Sequence, residues 1–265
     1  MQNSNIHAIL SRLEQSADNS TSFDDTWSQG RSAFGGLSAA FATCAMAKLL
    51  ETPQSLRSLM VSFVAPLPPG QISVTPVIVR QGTNVTQASA DVIAEGNVCL
   101  QAMAVFGNPR DALRVPADEV FQPRPRETGQ PFSEYTKRVP TFLQYFKGYW
   151  VGEGMPFSGK PDRHLNMWIR HRSDISDFPV EKIVTIADIP PPVILSHFDK
   201  PPVPAASLSW SLEFLQPPES ITSDWFYLDY YLEAAADGYS QQSGKVFDEK
   251  GQLCALSRQC MVYFG

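Results

Sequence analysis

Residues 70–107 read GQISVTPVIVRQGTNVTQASADVIAEGNVCLQAMAVFG, and residues 224–265 read DWFYLDYYLEAAADGYSQQSGKVFDEKGQLCALSRQCMVYFG. Both run strand-like, break at a glycine (Gly82, Gly238), run again, turn at a second glycine (Gly96, Gly251) and finish in an apolar strand ending Phe-Gly. Runs rich in valine, isoleucine and aromatics, bounded by Gly and Asn, read as antiparallel strands joined by turns. A similar phrase introduces each stretch: Ser58-Leu59 through Phe63 to Pro66, then Ser207-Leu208 through Phe214 to Pro217. The period is too long for a solenoid and there are only two copies. The pattern predicts two α+β units fused in tandem, residues 1–110 and 140–265, joined by a linker over 111–139. A fused pair shares an interface, and a site can be built there.

Working outward, Ile6, Ile9, Leu10 and Leu13 recur at helical spacing and predict a short docked helix over 5–16. Residues 36–51 are rich in Ala, Leu and Met and apolar almost all round, which predicts a buried helix. Strands are expected at 57–65, 71–80, 84–94 and 98–106, wrapping that helix. PRDALRVPADEVFQPRPRETGQP (109–131) favours extended chain. The second unit opens with strand-like YFKGYWV (145–151) and HLNMWIRHR (164–172). ADIPPPVILSHFDK (187–200) then stands where the Ala-rich helix stands in the first copy. Prolines suit a helix's first turn, so a second central helix is expected to begin there.

Composition narrows the function. Hydrophobic residues make up 43% of the chain and charged residues 18%, the balance of a globular protein. A formal net charge of -6 with no basic run argues against a nucleic-acid partner. No apolar run approaches the roughly 20 residues that span a bilayer, and the first residues do not resemble a signal peptide. Cys44, Cys99, Cys254 and Cys260 sit in apolar segments without metal-ligand spacing, which predicts free thiols in a reducing cytoplasm and no metal site. GxSxG is absent, and FGG and QGTNVTQ lack the P-loop lysine. His164 and His171 flank one strand at odd spacing, so they face opposite sides.

Gly30-Arg31 with Phe34-Gly35-Gly36, RSLMVSFVAPLPPG (57–70), VIVRQGTNVTQ (77–87), ADIPPPV (187–193) and the terminal GQLCALSRQ (251–259) together resemble the double-hotdog proteins of the acyl-CoA thioesterase II family. The resemblance covers roughly residues 27–107 and 140–265. It implies a tandem hotdog, each half a strongly curved antiparallel sheet wrapped around a central helix. It also implies hydrolysis of a fatty acyl or aryl thioester of coenzyme A by a positioned water, with acyl-CoA as substrate and neither metal nor cofactor. A fused pair already forms the two-copy unit, so a monomer and a homo-oligomer are both compatible with it.

Family members place an Asp, a Thr or Ser, and a Gln in the second half to orient the attacking water. Gln259 matches the glutamine, and its amide can donate and accept at once. Counting back from Pro217 places the family Asp at Ser209, whose hydroxyl is a poor general base. The Thr or Ser position falls on Glu233, Tyr231 or Ala235 according to the anchor chosen, and with Asp229 these share parity. A carboxylate on that face, Glu233 first and Asp229 second, is expected to replace the missing Asp. Gly35 and Gly36 head the buried helix, whose free N–H groups suit a thioester oxygen or a phosphate. Arg57, Arg80 and Arg170 are candidate contacts for the phosphates of coenzyme A. The alternatives are an acyl-CoA-binding protein that kept the pocket and lost its base, and a hotdog hydratase or dehydratase. The latter needs a His or carboxylate at the helix head, and FGGLSAAF (34–41) offers none.

Overall fold

A computed structural model describes residues 5–118, 121–132 and 140–264. Helix α1 (Ile6–Gln15) is N-capped by Asn5 and buries Ile6, Ile9, Leu10 and Leu13, the stripe its spacing announced. Helix α2 (Gly35–Ala47) is buried continuously from Gly36 to Met46, as a helix with no polar face must be. Around it run β1 (Ser20–Phe23), the short β2 (Ser28–Gln29) and β3 (Ser32–Ala33), then β4 (Ser55–Phe63), β5 (Gly70–Gln81), β6 (Val85–Ala94) and β7 (Asn97–Gly107). The rest of the chain contributes β8 (Gln130–Pro131), β9 (Phe146–Trp150), β10 (His164–His171), α3 (Pro179–Ala187), β11 (Ala205–Phe214), β12 (Phe226–Ala236), β13 (Tyr239–Asp248) and β14 (Leu253–Tyr263).

Twelve of these strands form one antiparallel sheet in the order β1-β5-β6-β7-β4-β11-β14-β13-β12-β10-β9-β8. Its middle is the pairing of β4 with β11, Ser58 opposite Glu213 and Ser62 opposite Ser209. The repeated Ser-Leu phrases are therefore the two strands that meet at this seam. Two tight hairpins share one turn type, although by place in the sheet β6-β7 answers to β13-β14 and β5-β6 to β12-β13. Glu95-Gly96 joins β6 to β7 and Asp237-Gly238 joins β12 to β13, each with two consecutive residues at positive φ. That is the backbone of a type I′ turn, which matches the sheet's right-handed twist. Facing α2, β6 and β7 present buried Ala88, Ala90, Ala102 and Ala104, small enough for helix and sheet to touch.

The second helix lies earlier in the chain than expected. It is PVEKIVTIA, with Pro179 in the first turn, and the triple proline follows its end. Consecutive prolines donate no N–H, and each forces the residue before it into extended backbone. Ile189 to Pro192 therefore form a stiff strut after the helix, leading into a short 3₁₀ turn over Val193–His197.

Beyond Gly107 the described chain is irregular until it crosses the outer face of the sheet. There Phe121 packs on Trp168, Tyr227 and Phe247. The Trp168 indole N–H donates to the Arg124 carbonyl at 2.8 Å, and the Arg126 guanidinium lies 4.6 Å from the Trp225 ring centre. This patch is a second, smaller core, separate from the main one.

Helices α2 and α3 pack together. Between them the buried Glu181 carboxyl accepts a hydrogen bond from the Thr43 hydroxyl at 2.8 Å. Burial raises its pKa from 4.5 to about 7, while the Thr43 hydrogen bond opposes the rise. The unfolded chain then releases a proton near 4.5 that the folded chain holds to about 7, so this group's contribution to stability falls as pH rises across that window. Glu181→Gln keeps an acceptor for Thr43 and cannot ionise. In urea melts it should match the parent near pH 4.5 and exceed it at pH 8 by on the order of 3 kcal/mol; equal pH dependence of the two proteins would contradict this.

Candidate functional site

Alternation along β14 turns Ser257, Gln259 and Met261 inward, all buried, and leaves Leu256 and Arg258 exposed. Opposite Gln259 stand Trp210 on β11 and Gln242 on β13. The Trp210 indole donates to the Ser257 hydroxyl at 2.9 Å, which fixes the ring beside the glutamine. Gln259 donates through Nε2 to Asp188 Oδ1 at 2.7 Å and accepts at Oε1 from Gln242 Nε2 at 2.8 Å. Gln242 in turn accepts at Oε1 from the Val193 backbone N–H at 3.0 Å.

Asp188 is the residue immediately after α3, and it reaches the first turn of α2, where the Gly36 N–H donates to it. Phe34, at the N-cap position of α2, offers no side-chain acceptor, so Asp188 supplies one from the other part of the chain. The approach is close enough to require glycine: a Cβ at Gly35 would lie 2.7 Å from Asp188 Oδ2 and 2.9 Å from the Phe63 ring. Burial raises the carboxyl's pKa from 3.8 to about 7, against the lowering effect of the Gly36 and Gln259 hydrogen bonds. The residue as a whole is partly exposed, while its carboxyl sits deep in the fold. Tyr230, buried on β12, donates its hydroxyl to the Ala187 carbonyl and braces the end of α3.

Of the residues expected from sequence, Gly35, Gly36 and Gln259 come together. The carboxylate beside them is Asp188, not Glu233 or Asp229. Leu228, Tyr230 and Leu232 of β12 turn inward, which puts Asp229 on the outer face, where Asn166 Nδ2 donates to it at 2.8 Å. Glu233 stands exposed at a bulge and accepts from the Ser243 hydroxyl at 2.5 Å. Ser209 pairs with Cys260 and Ser62; it is exposed on the face opposite Gln259. Arg57 donates to the Gly107 carbonyl at 3.0 Å, and Arg170 lies 3.9 Å from Asp224. Arg80 shares a crevice of about 460 Å³ with Arg110 and the Gly82–Asn84 turn. Among the described residues, no group of three His, Cys, Asp or Glu side chains is placed to hold a metal ion.

Asp188 carried one legible signal. The negative end of a helix disfavours a carboxylate, so an Asp directly after IVTIA has a reason to be there that is not helix stability.

A family model of the acyl-CoA thioesterase N-terminal domain matches residues 23–107, and one of the C-terminal domain matches 116–263. The chain belongs to the acyl-CoA thioesterase family. Solved structures agree on a hotdog fold. A conserved protein of unknown function with a hot dog fold from Alicyclobacillus acidocaldarius superposes with a TM-score of 0.82 at 20% identity, covering 93% of this thioesterase-family chain and 92% of its own. An acyl-CoA thioesterase II, TesB2, from Mycobacterium marinum gives 0.69 at 18% identity, with 88% and 90% covered. A tesB protein of Mycobacterium avium subspecies paratuberculosis gives 0.72 at 17% identity, with 98% and 100% covered. No curated protein sequence matches the chain. No helix among the described residues is long and apolar enough to cross a membrane.

Proposed function

We propose that this chain is a tandem of two hotdog units, 1–110 and 140–265, that hydrolyses acyl-CoA thioesters to free acid and coenzyme A. One observation carries the reading: the Asp188 carboxyl, raised by burial to about 7, lies between the N-terminus of α2 and the buried Gln259 amide, 2.7 Å from its nitrogen. A base that titrates near neutrality is half-ionised where it works, which suits it to take a proton from water. In this reading a water lies against Asp188 and Gln259. As its oxygen attacks the thioester carbon, Asp188 accepts the proton and the new C–O bond forms. The carbonyl electrons move to oxygen, where the Gly35 N–H and the positive end of α2 stabilise the charge. The tetrahedral intermediate collapses with cleavage of the C–S bond, and the leaving thiolate takes a proton from Asp188.

The test is free-thiol release from short, long and aromatic acyl-CoAs across pH 5–9. Turnover should rise through a single ionisation near pH 7. Binding of acyl-CoA without any thiol release would defeat the hydrolase reading. It would leave the non-catalytic acyl-CoA binder.

A further inference from the structure

The hydrogen bonds around Gln259 form a closed ring. It runs from the Val193 N–H through Gln242 and Gln259 to Asp188, and returns through the backbone of Ile189 and Pro190–Pro192. Its polarity follows from chemistry. A backbone N–H can only donate, so Gln242 must present Oε1 to Val193. That leaves Gln242 Nε2 for the next residue, and Gln259 must meet it with Oε1. The Gln259 Nε2 is then the end that faces the carboxylate. Reversing either amide would set two donors or two acceptors against each other in a buried place, since Gln242 and Gln259 are each 1% exposed. The three prolines hold both ends of the ring at fixed separation, because each has its φ locked.

We propose that Gln242 is a positioning residue that, with the proline strut, dictates which end of the Gln259 amide faces Asp188. It touches Gln259 and the Val193 backbone, and it acts on the chemistry only through them. The proposal rests on the thioesterase reading for its kinetic consequence but not for its effect on Asp188. Around that carboxyl, α2 brings Gly35 and Gly36, β4 brings Phe63 and β14 brings Gln259. The Tyr230 phenol on β12, which burial keeps neutral, interacts electrostatically with that carboxyl. Gln242 is therefore the group that sets the sign of the dipole presented by Gln259.

The test uses Gln242→Met, which keeps the volume and removes the polarity, and Gln242→Glu, which keeps the acceptor and loses the donor when ionised. The Asp188 carboxyl is titrated by ¹³C NMR in the full chain without substrate, and kcat and KM are measured with the best acyl-CoA. Both variants should raise the Asp188 pKa by about half a unit or more, because the Gln259 amide loses the donor that fixes its far end and its N–H is held less firmly toward the carboxylate. kcat should fall roughly tenfold to a hundredfold with KM little changed. Folded variants with an unshifted Asp188 titration would overturn the proposal, as would full activity in Gln242→Met. If no acyl-CoA is turned over by the parent, the hydrolase reading fails by itself, and the NMR titration still decides the role of Gln242.

Discussion

Asp188→Asn is expected to lower kcat by a factor on the order of 10² to 10⁴, the range for loss of a general base. The residual rate should lose its rise through pH 7, because the group that titrates there is gone. The same variant should gain stability at alkaline pH. The carboxyl's folded pKa of about 7 lies above its ordinary 3.8, so the folded protein binds a proton that the unfolded chain has released between those values. The parent therefore loses stability as pH rises from 5 to 7, and Asp188→Asn does not. From pH 5 to pH 9 the stability difference should move in favour of the variant by roughly 3 kcal/mol. Paired urea melts and thiol-release assays would check both halves. A variant that keeps more than a tenth of parental activity, or keeps the pH dependence, would show that the base lies elsewhere.

Gln259→Ala should be nearly as damaging. In the proposed mechanism it removes the amide that positions the attacking water, a loss of order 10² to 10³ in kcat by comparison with other positioned donors. It also removes an N–H that favours the ionised Asp188, so the kinetic pKa should move up from about 7. Gln242 Nε2 is left buried without its partner, at a cost of about 1–3 kcal/mol in stability. A pH profile unmoved from the parent would mean that Gln259 does not touch the titrating group in solution.

Much of this arrangement could be read from the chain, and the reasons it stopped short are physical. The strands and turns announced themselves because alternation and glycine punctuation are local patterns. α2 did so because no surface helix is apolar on every side. Gly35 and Gly36 were visible as the head of that helix, whereas Gln259 stood out only by its match to the family's glutamine. Asp188 was hidden by the prolines beside it. Pro-rich segments sit equally well at the start of a helix and just past its end, and reading a start at Ala187 turned the terminal Asp188 into an initial residue. The amphipathic run PVEKIVTIA carried the correct answer. Glu233 and Asp229 illustrate a different limit. Shared parity told that residues of β12 lie on one face, but which face turned inward depended on Leu228, Tyr230 and Leu232. The pairing of Gln242 with Gln259 joins two strands through register, which no single stretch reveals.

The seam between β4 and β11 has a consequence for how the protein comes apart. Neither part of the sheet can melt alone without stripping the other of a neighbour and leaving an unpaired strand edge in water. The same event would pull Asp188 from the head of α2. Heating should therefore give a single calorimetric transition, with the site lost at the same temperature as the sheet.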